Sequence, residues 1–162
     1  MNHLVFLDTR AGELERILSG VKTMLIKELD PAQTTAHPVC PGEALYFLRD
    51  NGESAVRVRA TVTRVLFLPN NSNEELSHTL KEMQPRLQLT EDQYNHWSAK
   101  HHVLLVEFEP AQKSDVIQVS PSMITRGPDW IAFEDFSLVR VEEGSGEQRT
   151  FAPELREGAS SV

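Results

Sequence analysis

Residues 55–65 read Ala55-Val56-Arg57-Val58-Arg59-Ala60-Thr61-Val62-Thr63-Arg64-Val65, and their period of two decides the kind of fold this chain can form. Val56, Val58, Ala60 and Val62 fall on one side, and Arg57, Arg59, Thr61 and Thr63 on the other. A pleated strand sends successive side chains to opposite faces, so this alternation predicts a strand with one buried and one wet face. It is expected to run from about Ala55 to Phe67. Asn51-Gly52 ahead of it is a hairpin signal, and Glu43 to Leu48 reads as the preceding strand.

Working outward, His3 to Leu7 predicts a short strand that ends at Asp8-Thr9, either of which can cap the helix carrying Leu14, Ile17 and Leu18. Gly20 sits where a helix C-cap belongs. Val21 to Lys27 is rich in strand formers, and 30–42, with three prolines, is a loop. After the long strand, Ser72 with Glu75 and Thr90 with Gln93 form two capping boxes. They predict helices over Leu76, Leu80 and Met83 and over Tyr94 and Trp97, with Pro85 breaking the pattern between them. Val103-Leu104-Leu105-Val106-Glu107-Phe108 is a near-continuous apolar run, expected as a central strand. Short strands follow at Val116–Val119 and Phe136–Val141, with a Gly127-Pro128 turn between them. Hairpin-connected strands with few helices give an α+β class, a mostly antiparallel barrel rather than a doubly wound parallel sheet.

At 162 residues, with 40% apolar and 25% charged side chains, the chain has the size and composition of a globular domain. No apolar run approaches the roughly 18 residues of a membrane span. One cysteine, Cys40, excludes an intramolecular disulfide. With an N-terminus that lacks a basic, apolar leader pattern, this leads to the expectation of a cytoplasmic protein. The net charge of −8 argues against coating duplex DNA. All of that excess lies after residue 69, because residues 1–69 hold eight Lys/Arg and eight Asp/Glu. An anion-binding surface is therefore expected in the first part, where Arg49, Arg57, Arg59 and Arg64 cluster.

The segment Ser19-Gly20-Val21-Lys22-Thr23 after a helix, a strand, and then Pro41-Gly42-Glu43-Ala44-Leu45-Tyr46-Phe47 resembles the start of an ASCH domain. This is a small β-barrel related to the PUA domains of RNA-modifying proteins. The valine-rich strand Val56–Val65, two helices and the strand Val103–Phe108 follow in family order, so the resemblance spans about residues 3 to 109. It implies a PUA-like, mostly antiparallel barrel with an N-terminal helix and two inserted helices over 1–110. Residues 111–142 are expected as an extension packed on the barrel, and 143–162 as a loose tail. Leu25 stands where the family usually has Glu or Thr, and Lys27 where it usually has arginine. Some small members are similar to N4-acetylcytidine amidohydrolases, in which a lysine, a hydroxyl and a glutamate do the chemistry. On this chain those roles would fall to Lys22, Thr23 and a glutamate of the helical insert, Glu75 foremost, with Glu74 and Glu82 as alternatives.

The expected function is an RNA- or nucleotide-ligand-binding module using a cleft beside the Gly-x-Lys-Thr segment. The alternative is an amidohydrolase acting on an N-acylated nucleoside. The ligand-binding residues are expected to be Lys22 and Lys27 for charge, Thr23 for a hydrogen bond and Trp130 for stacking. Arg57 and Arg59 lie two apart on one strand face, about 6.6–7 Å, a spacing that could track backbone phosphates. A solvated face with cross-strand partners such as Glu43 or Glu107 is the favoured reading of the pair. Tyr94 and Trp97 fit core packing. His37 and Cys40, with His96, His101 and His102, lack the pairing of a zinc site, so no metal and no cofactor are expected. A third reading, protein interaction through the acidic second part, is open, and the oligomeric state is not legible.

Overall fold

The structure of the chain, a computed structural model, describes residues 1–29, 39–50, 54–69, 72–120 and 130–134. The long alternating strand is its spine. Strand β4 (Ala55–Leu68) pairs antiparallel with β3 (Ala44–Arg49) through its first half and with β5 (Val103–Phe108) through its second. The register shifts between Val62 and Arg64. Such an irregularity bends a strand and increases its twist, so one strand serves two differently tilted parts of the sheet. Strand β6 (Gln112–Gln118) lies against Ala55–Arg59.

Strand β1 (Asn2–Leu7) runs parallel to β3, β7 (Trp130–Phe133) antiparallel to β1, and β2 (Met24–Glu28) antiparallel to β5. The order is β2-β5-β4-β3-β1-β7, with β6 added on β4. Among the described residues the result is a curled, mostly antiparallel α+β sheet, a half-barrel with three helices, as the sequence led us to expect. Among the described residues no ladder joins the end strands β2 and β7. They nevertheless approach, because Lys27 Nζ of β2 lies 5.5 Å from the centroid of the Trp130 ring of β7.

The predicted buried face of β4 is the observed one. Val58, Ala60 and Val62 pack with Val5 and Leu7 of β1, Leu45 and Phe47 of β3, and Leu104, Val106 and Phe108 of β5. Helix α1 (Glu13–Leu18) covers this core with Leu14 and Ile17. A second cluster sits behind β5, where Leu76, Leu80 and Leu87 of α2 (Asn73–Leu87) meet Met24, Val103 and Leu105. β5 is thus apolar on both faces along Val103–Val106, the physical reason for its near-continuous run. Truncating Leu80 or Leu105 to alanine should cost about 2–5 kcal/mol.

Both capping boxes are present. Ser72 and Glu75 start α2, and Thr90 and Gln93 start α3 (Glu91–Ser98). Pro85, expected as a breaker, lies within α2, which runs on to Leu87 and closes on Gln88 in the left-handed region at φ 52°. A proline removes one intrahelical donor, and near the end of a helix little remains to be lost. The α1 cap also differs from expectation. Gly12, at φ 64°, holds the N-cap position without a side-chain bond. Asp8 instead accepts from the backbone N–H groups of Arg10 and Ala11 in the turn before. Gly20 follows α1 at φ 81°, the left-handed conformation expected of it.

β7 was not legible in the sequence. The expected boundary at residue 110 falls between strands of one sheet, since β6 pairs with β4 and β7 with β1. His37, Asn51-Gly52, Gly127-Pro128, the strand expected at 136–141 and the tail lie outside the described residues.

Candidate functional site

A cavity of about 320 Å³ opens at the seam between β1, β2, β7 and α3, where no ladder joins β2 to β7 among the described residues. Val5, Leu7, Leu25 and Ile26 give it apolar lining, and Trp97 and Trp130 give it aromatic lining. Asp8, Glu13, Asp50 and Asp92 supply carboxylates, and Gln93 and His96 further polar groups.

Three of the carboxylates are fixed by local bonds. Glu13 Oε1 accepts from the Asp8 N–H at 2.7 Å, and Asp50 Oδ1 accepts from the Thr9 N–H at 3.0 Å and from its hydroxyl at 2.7 Å. Asp8 Oδ2 accepts from Gln93 Nε2 at 3.4 Å, tying the β1–α1 turn to α3.

Trp130 is held from two sides. β1 and β7 pair His3 with Ala132 and Val5 with Trp130, which makes Trp130 a diagonal neighbour of His3 on the same face. Its indole N–H donates to His3 Nδ1 at 3.0 Å. Indole nitrogen can only donate, so Nδ1 is unprotonated and the His3 proton sits on Nε2, which donates to Glu43 Oε1 at 2.7 Å. His3 is wholly buried. Burial is the chief reason its pKa lies below the ordinary histidine value, and the Glu43 carboxylate partly opposes the shift. Glu43 Oε1 also accepts from the Cys40 N–H at 2.9 Å.

Lys22 does not line the cavity. It is 1% exposed, its ammonium donates to the Leu87 carbonyl, and it lies 3.4 Å from Glu13 Oε2. Burial pushes its pKa below the ordinary lysine value, and Glu13 works in the other direction. Lys22 therefore reaches the cavity only through Glu13, one side chain behind the expected rim.

Thr23 is engaged through its backbone, donating to Arg86 O and accepting from Phe108 N–H, and is not in the lining. Lys27 borders the site through Trp130. Arg57 and Arg59 are exposed on β4, which contributes nothing to the cavity. The Arg59 guanidinium lies 6.0 Å from the Tyr46 ring centroid. The glutamates proposed as their partners are used elsewhere. Glu107 pairs with Arg64 and Arg86, and Glu43 with His3.

Glu75 completes the α2 capping box, where bonds to Ser72 hold its carboxyl below the usual range. Glu82 sits 3.5 Å from His78, and neither Glu74, Glu75 nor Glu82 lines the cavity. Among the described residues no group of His, Cys, Asp and Glu is arranged to hold a metal, and no helix is long and apolar enough to cross a membrane.

Sequence reasoning missed His3, Asp8, Glu13, Asp50 and Asp92. Glu13 had a signal, since it begins the helix that ends just before Lys22. His3 had none without the β1–β7 register.

No family model matches the sequence, and neither does any curated protein. Among solved structures the chain is similar to the ASCH protein of Zymomonas mobilis, at TM-score 0.57 and 11% identity over 85% of this chain and 95% of that one. Two mutant forms of the same protein match at TM-score 0.58, with 12% and 14% identity. At such identity the likeness concerns architecture, and on it the curled sheet with its three helices has the fold of an ASCH domain.

Proposed function

We propose that the seam cavity takes a single nucleobase, presented by a nucleoside-like small molecule or by one unstacked position of a single-stranded RNA. The observation that carries this reading is Trp130, an aromatic ring in the cavity lining held by His3 at its edge and Lys27 near its face. Base–aromatic stacking contributes about 1–3 kcal/mol per base. The cavity is at the small end of ligand sites, suited to one base. Its carboxylates disfavour a phosphate inside, so any phosphate stays outside, nearest Lys27. Lys22 serves indirectly by holding Glu13, and Thr23 by fixing the start of β2.

Titrating the four ribonucleosides against tryptophan fluorescence tests this. At least one is expected to bind, and Trp130→Ala should weaken it by roughly 5- to 150-fold, the equivalent of that stacking energy. Binding indifferent to Trp130→Ala would overturn the reading.

A second reading is favoured by one observation, the buried Lys22 beside cavity-lining Glu13. In it the chain hydrolyses an N-acylated nucleoside, with Glu13 and Lys22 as the proton-holding pair in place of Glu75. Water adds to the acyl carbon, the C–N bond breaks, and the amine leaves with a proton. Incubation with N4-acetylcytidine should then release cytidine and acetate. No release at high protein concentration excludes that substrate.

A further inference from the structure

We propose that His3 and Glu43 form a proton-coupled support for Trp130, so that the tryptophan is held in its cavity position only while His3 is neutral. The inference rests on the base-binding reading for its consequence, but the support itself is a property of the free protein.

Register arithmetic brings the three groups together. On β1, His3 pairs with Ala132 of β7 and with Leu45 of β3. Trp130 and Glu43 each lie two residues before those partners, on the same face as His3. The bonds form one directed chain, from the Trp130 N–H to His3 Nδ1 and from the His3 Nε2–H to Glu43 Oε1. Its far end is anchored by the Cys40 N–H on the same Glu43 oxygen.

A second proton on His3 can go only to Nδ1, where it would face the indole N–H, donor against donor. Protonation therefore requires the loss of the Trp130 bond. The charged groups acting on His3 from its surroundings are Glu43, which favours the imidazolium, and the N-terminal ammonium and Lys27, which oppose it. Complete burial adds to that opposition. Trp130 is accordingly held at neutral pH and released as pH falls below the ordinary histidine value of about 6.5 through the lowered folded-state pKa. Apparent affinity scales with the fraction of binding-competent protein. Base binding is thus expected to weaken by about tenfold per pH unit once His3 is mostly protonated.

His96 is a second histidine in the cavity lining, so the test must separate the two. Nitrogen-15 NMR of the free, full-length chain at pH 7.5 should show His3 as the Nε2–H tautomer and the Trp130 indole N–H protected from solvent exchange. That protection should be lost on acidification, and His96→Gln should leave this behaviour unchanged. Glu43→Gln keeps an acceptor for Nε2–H and removes the charge that favours the imidazolium, so the loss should move to lower pH. His3→Asn keeps an acceptor for the indole and should abolish the pH dependence. An Nδ1–H tautomer, or indole protection that is flat with pH in the wild type, would overturn the proposal. The same titration run with a ribonucleoside reads the separate question. If no nucleoside binds at either pH, the base-binding reading falls while the NMR still decides the support.

Discussion

Lys27 Nζ stands 5.5 Å from the Trp130 ring centroid and so links the first strand of the sheet order to the last. The half-barrel leaves its seam without a ladder among the described residues, and a cation on an aromatic face spans it where the cavity opens. Such a contact contributes about 0.5–2 kcal/mol depending on its desolvation. Lys27→Met keeps the aliphatic stem and removes the charge. Denaturant unfolding should show a loss within that range, and base binding should weaken because Trp130 loses one of its two supports. Unchanged affinity would mean that the lysine plays no part in holding the ring.

Lys22 is buried with a carbonyl and a carboxylate as partners. Lys22→Met conserves volume but leaves the Leu87 carbonyl without its donor, and should cost about 1–3 kcal/mol. The pH dependence has a definite sign. A lysine whose pKa is lowered by burial binds fewer protons in the folded than in the unfolded state. Its contribution therefore favours the fold increasingly as pH rises from the lowered value towards the unfolded value of about 10.4. The difference in stability between wild type and Lys22→Met should grow over that window. A shrinking difference would show that the ammonium is not desolvated.

Glu75 separates a structural from a catalytic role cleanly. Glutamine also completes a capping box, so Glu75→Gln should leave ligand binding unchanged and lower the melting temperature only slightly, through loss of the first-turn charge. Ser72→Ala should cost about 1 kcal/mol. If Glu75→Gln abolished turnover of an acylated nucleoside while the fold stayed intact, the capping role would not be its only one.

Arg57 and Arg59 lie outside the cavity. The Arg57→Ala, Arg59→Ala double variant should leave nucleoside affinity within about twofold, a change below 0.5 kcal/mol. Nucleoside binding should also be nearly independent of salt, because no phosphate is neutralised. A larger loss of affinity in the double variant would place ligand contacts back on this strand.

The alternation around β4 and the apolar run of β5 made most of the sheet legible, because both are local patterns that burial enforces. The capping boxes were equally legible, being short and chemically specific. The site was legible only in part. Trp130 and Lys27 could be singled out as residue types, but their meeting depends on the curl that brings β2 to β7. Lys22 could be named from its position after α1, yet its burial behind Glu13 follows from α2 ending over it at Leu87. His3 looks like any polar residue at a strand start until the β1–β7 register places it at the indole edge. Pro85 misled because a breaker near a helix end costs less than one in its middle.

Photo-crosslinking with a single-stranded RNA that contains 4-thiouridine tests the central claim most directly, since it traps the base where it sits. Adducts are expected on peptides carrying Trp130 or Trp97, and should be lost in Trp130→Ala. Adducts confined to the Arg57–Arg59 segment of β4 would contradict a base seated at the seam.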